Sequence, residues 1–102
     1  MGSRLDLDSE LRDFINSENV YFQPPESIKM NYPCIVYKRY SGNTIYANNM
    51  PYGYTQAYEV TIIDKNPDSD LVKRMPTRFP MSQYSRHFAF ENLNHDVFIV
   101  FY

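Results

Sequence analysis

The chain has 102 residues, with 10 Lys and Arg against 12 Asp and Glu, and this net charge of −2 argues against a protein whose main task is gripping phosphate backbones. Its one cysteine, Cys34, excludes an internal disulfide and a multi-cysteine zinc site, so a reducing compartment is the expectation. No apolar stretch is long enough for a membrane span, and an N-terminal segment carrying Asp6, Asp8, Glu10 and Asp13 is unlike a secretory signal, so a soluble, cytoplasmic single α+β domain over residues 1–102 is expected.

Leu7, Leu11, Phe14 and Ile15 fall on one face at helical spacing, which predicts an amphipathic helix over residues 6–17, capped by Asp6 or Asp8. Val20 to Gln23 reads as a short strand ended by Pro24 and Pro25, which have no amide hydrogen for a ladder. Tyr32 to Tyr37 is a strand, internal from Cys34 onward. Residues 41–53 are polar and turn-rich, with a small strand at Thr44-Ile45-Tyr46, and their length predicts a projecting arm rather than a simple hairpin connection.

Tyr54 to Asp64 predicts the longest strand, with Tyr58, Val60 and Ile62 alternating against Glu59, Thr61 and Ile63. Asn66 as N-cap and Pro67 at the first helical position open a second helix through Leu71, Val72 and Met75, which Pro76 stops. A loop over residues 77–81 follows. Ser82 to Phe90 and residues 96–102 then form a hairpin turning at Asn92-Leu93-Asn94. In the last strand Val97, Ile99 and Phe101 face one way and Phe98, Val100 and Tyr102 the other. A strand apolar on both faces requires two-sided cover, from a helix, from the rest of the chain or from a partner. The architecture expected is a twisted, mostly antiparallel sheet of about four to six strands with an N-terminal helix and a second short helix packed on it.

Little in the chain points to catalysis. Asp64, Asn66, Asp68 and Asp70 have the spacing of the first half of a calcium loop, but Ser69 stands where glycine makes the sharp turn and Met75 where a bidentate glutamate is required. His87 and His95, with Glu91 and Asp96 nearby, match no metal or acid–base signature and read as ordinary hydrogen-bonding residues beside a turn; a small hydrolase using them is the remote enzymatic alternative. Cys34 lies among apolar residues, the setting of an inert thiol. Neither a nucleophile elbow nor a phosphate-cradling loop is present in a chain with three glycines. No catalytic residue, metal or cofactor is therefore expected. Tyr37-Lys38-Arg39-Tyr40 interleaves aromatic and basic side chains as single-strand nucleic-acid binders do, which leaves a monomeric nucleic-acid or peptide-binding module as a competing reading. The tyrosines of the arm and its exit suit protein contacts, because a phenol combines apolar area with a hydrogen bond.

Five segments in order, Val20-Tyr21-Phe22-Gln23-Pro24-Pro25-Glu26-Ser27, Tyr32-Pro33-Cys34-Ile35-Val36-Tyr37, Asn49-Met50-Pro51-Tyr52, Tyr58 to Ser69 and Glu91-Asn92-Leu93-Asn94-His95, resemble the tail-completion or tail-terminator proteins of tailed bacteriophages. The resemblance runs from about residue 5 to 102. It implies helices on a twisted sheet and protomers associating side by side as a ring, usually a hexamer. Such a ring caps the tail tube at the head–tail junction of the virion and meets a neck or head-completion protein, while DNA passes through its lumen without sequence-specific binding. No membrane is involved. A head-side neck adaptor or stopper is the alternative within the same class. A ring needs two different complementary patches on each protomer. The contact residues proposed are Asn43, Tyr46, Asn49, Tyr52 and Tyr54 on the arm, with Phe90 and Asn92 at the hairpin turn.

Overall fold

The computed structural model describes residues 4–24, 29–40 and 56–102. The elements run α1 (Arg4–Ile15), β1 (Val20–Phe22), β2 (Cys34–Arg39), β3 (Ala57–Asp64), α2 (Asp70–Arg78), β4 (Ser82–Phe90) and β5 (Leu93–Phe101). The strands form one sheet in the order β1-β2-β3-β5-β4, parallel between β1 and β2 and antiparallel elsewhere. This is the α+β architecture expected from the pattern of elements.

Alternation within the strands sorts the core. Val20, Ile35, Tyr37, Tyr58, Val60, Ile62, Phe98 and Val100 gather with Leu7, Leu11 and Phe14 of α1 and with Leu71, Met75 and Phe79 of α2 and its exit. Both helices therefore lie on one face of the sheet. The final strand is internal, with Val60 opposite Phe98 on one side and Tyr84 opposite Phe98 on the other. Its C-terminal end is fastened to α1, because the Tyr102 hydroxyl donates to Glu10 Oε2 while Arg78 Nη1 donates to Glu10 Oε1 at 2.7 Å.

Several boundaries differ from the sequence reading. Helix α1 begins at Arg4, so Asp6 lies in its first turn and Asp8 inside it, neither serving as the cap. Asp8 instead accepts from Arg12 Nε and the Tyr37 hydroxyl, each at 2.5 Å. The helix ends at Asn16, whose φ of 56° is left-handed, with Asn16 N–H donating to Asp13 O and Ser17 N–H to Arg12 O. Asn66 does not cap α2. Its amide donates to Asp64 Oδ1 at 3.0 Å and its Oδ1 accepts from Asp68 N–H at 2.9 Å, so two side-chain turns delay the helix to Asp70.

Pro76 does not stop α2, which continues to Arg78. Burial of Met75 and Phe79 on the helix-covered face, each worth about 1.5–3 kcal/mol, offsets the amide lost at proline. The loop is thereby shortened to residues 79–81, and the hairpin turn falls at Glu91-Asn92 rather than at 92–94. Both turn residues have positive φ, 53° and 64°, the signature of a two-residue type I′ turn. The arm over residues 41–53 with its strand at 44–46, and Tyr54 at the start of the expected long strand, lie outside the described residues.

Candidate functional site

With both helices on one face, the other face of the sheet is built from the alternate residues. Val36, Thr61, Ile63 and Val97 floor a groove of about 680 Å³, with Met30 and Pro24 on one side and Arg86, Phe88 and His95 on the other. Strand alternation explains the set: Val36 pairs across to Thr61, and Thr61 to Val97, so three central strands each send an apolar or half-apolar side chain the same way. Charged groups stand on this floor. Lys38 Nζ lies 3.5 Å from Glu59 Oε2 there, whereas Arg39, opposite the core residue Tyr58 in the ladder, turns to the other side at the strand end and donates from Nη2 to Gln56 Oε1 at 3.2 Å. The Arg86 guanidinium sits over the Phe88 ring, 5.9 Å from its centroid.

Strand β4 borders this face as an edge strand, and among the described residues no strand pairs with its outer side. Tyr84, Phe88 and Phe90 are 53%, 41% and 62% exposed, a concentration of aromatic surface on one strand. A register irregularity between Tyr84 and Arg86 lets Tyr84 turn toward the helix-covered side, where its hydroxyl donates to Asp96 Oδ1 at 2.9 Å. Phe88 stays with the groove, its ring stacked on His95 at 4.6 Å between centroids and 14° between planes.

The histidines do not form a pair. The cross-strand partners Phe88 and His95 share one face, whereas His87 pairs with Asp96 on the other, and His87 Nε2 lies 3.1 Å from Asn94 Oδ1. His95 Nδ1 is 3.2 Å from Leu93 O. Each ring thus makes a local contact at a turn. Cys34 is fully buried, and burial pushes its thiol up to about 12, so thiolate is scarce at neutral pH. Among the described residues no cluster of three or more His, Cys, Asp or Glu could hold a metal ion. No helix among the described residues is long and apolar enough to cross a membrane.

The Tyr37 to Tyr40 run is divided by the strand that carries it. Tyr37 is fully buried on the helix-covered face and bonded to Asp8, while Lys38 lies on the open face against Glu59. The interleaved aromatic–basic surface is therefore not assembled. Of the proposed contact residues, Phe90 and Asn92 are exposed together at the hairpin tip, and Asn92 takes the left-handed backbone there. Asn43, Tyr46, Asn49, Tyr52 and Tyr54 lie outside the described residues. The groove itself had a sequence signal in the two-sided apolar alternation of the last strand. Its walls, Arg86 and Phe88, had none, because only the hairpin register brings them beside Val97 and His95.

No protein family, curated protein or solved structure matches this chain.

Proposed function

We propose that the chain is a structural, non-enzymatic virion subunit, a tail terminator of a tailed bacteriophage that forms a ring capping the tail tube and joining it to the neck. The observation that carries this reading is the one-sided sheet: helices cover one face, and the other remains a groove with an apolar floor beside an edge strand rich in exposed aromatics. Surfaces of this kind fit association with protein partners. The motif order along the chain supplies the particular assembly, and the net charge of −2 suits a conduit through which DNA slides without being held.

A terminator sets tail length and makes tails competent to join heads. Tail tube protein polymerised in the presence of this chain is therefore expected to give tubes of closed, uniform length bearing the chain at one end. Tubes that elongate equally with and without it contradict the assignment.

A further inference from the structure

We infer that the outer edge of β4 pairs with the same edge of a second copy, antiparallel about a two-fold axis, so that the free chain associates as a dimer through one continuous sheet. The contact stands apart from the ring proposed above, because a two-fold patch stops at a dimer whereas a ring needs two different patches.

The two edges of the sheet are built unequally. At one edge, β1 is three residues long and Pro24, which has no amide hydrogen to offer, follows it closely. At the other, β4 runs for nine residues, and among the described residues its outer side meets no strand. Residues 83–90 are all exposed. The strand holds neither proline nor lysine, and Arg86 is its only full charge, so the usual means of blunting an edge are missing. Alternate N–H and C=O groups of β4 point away from β5, and another strand satisfies groups spaced in this way. The irregularity between Tyr84 and Arg86 breaks the edge there, which leaves residues 86–90 as its regular part.

Charge selects the second strand. Arg86 opens this stretch and Glu91 follows it, both exposed, and among the described residues neither has an opposite charge within ion-pair distance. A second β4 laid antiparallel brings the cation of each copy to the carboxylate end of the other, twice, whereas a parallel copy sets Arg86 against Arg86. Centred on Phe88, the pairing places Arg86 opposite Phe90 of the other copy and one residue from its Glu91. Phe88 and Phe90, 41% and 62% exposed, then gain an aromatic and a cationic neighbour across the new ladder. The edge at β1 is no substitute, since Val20–Phe22 carries no charge and is shorter than the stretch to be paired.

The test is self-association of the full chain, measured by sedimentation and light scattering over a concentration series. The wild-type chain is expected to reach a dimer and no larger species, and the β4 amides that point away from β5 to gain protection from hydrogen exchange as concentration rises. Arg86→Glu or Glu91→Arg alone sets like charges together at both ends of the contact and is expected to weaken the dimer about tenfold or more, the scale of an interfacial charge reversal. Both substitutions in one chain restore the match and are expected to recover the dimer. Phe90→Lys, which puts a lysine on the edge, serves as a further weakening variant, and urea midpoints establish that each variant is folded. A wild-type chain that stays monomeric or grows past a dimer, a dimer whose β4 amides gain no protection, single variants that associate like wild type, or a folded double variant weaker than either single one overturns the inference. Tube termination is read separately, by tube length.

Discussion

Tyr37 carries a phenol into the apolar layer beneath α1, and its hydroxyl is satisfied there by Asp8 at 2.5 Å and by Arg4 Nη1 at 3.3 Å. Burial, with the Asp8 carboxylate beside it, pushes Tyr37 up to about 12, and burial with Glu10 does the same for Tyr102. Both folded values lie above the ordinary 10, so the stability they contribute is complete below pH 10 and is lost as pH rises from 10 to about 12. Urea midpoints measured across the alkaline range should fall over that interval. Tyr37→Phe should flatten the fall and cost about 1.5–3 kcal/mol near neutrality, the scale of a lost hydrogen bond to a charged acceptor. The partners titrate in the opposite sense. Burial raises Asp8, but bonds from Tyr37 and Arg12 hold it below its ordinary value; Tyr102 and then Arg78 hold Glu10 below its own. Their contribution is present above the ordinary values of 3.8 and 4.5 and is lost as pH falls through the lower folded ones. Cys34 gives a separate check. Alkylation of the native protein at neutral pH should be limited by opening of β2, and rapid labelling without unfolding would contradict the buried, protonated thiol.

At the scale of elements, α2 is the clearest case of packing overriding local preference. Pro76 removes one helical hydrogen bond, yet the helix continues because Met75 and Phe79 are buried and Phe79 N–H donates to Met75 O at 2.9 Å. Pro76→Ala should therefore stabilise the protein by about 1–3 kcal/mol, read as a higher urea midpoint with unchanged m-value. Strand positions were legible because alternation is a backbone property: Tyr58, Val60 and Ile62 faced the helices as the pattern required. Boundaries were less so. Asn66 has the chemistry of a cap, but the same side chain closes a turn on Asp68, and sequence alone does not rank the two bonds. At the second turn, Glu91 gives no glycine-type signal for positive φ, and the hairpin register imposes it.

For the whole molecule, the decisive feature is a sheet with helices on one face and a groove on the other. Half of this arrangement was readable, since the last strand is apolar on both sides and demands two-sided cover. The rest depends on strand order. Placing β5 between β3 and β4 brings Val97 beside Thr61, far from it in the chain, while the hairpin register puts Phe88 and His95 at the groove wall. The aromatic–basic run at residues 37–40, which the sequence offered as a competing reading, is split for the same reason, because one strand sends its neighbours to opposite faces. The proposal that follows is association through an open face and an aromatic edge, at the end of a phage tail. Labelling the chain in intact particles and locating the label along the head–tail axis tests this most directly. The account expects a single ring of label at the head–tail junction. Label along the tube, at the distal tip or inside the capsid, or particles without any label, contradicts it.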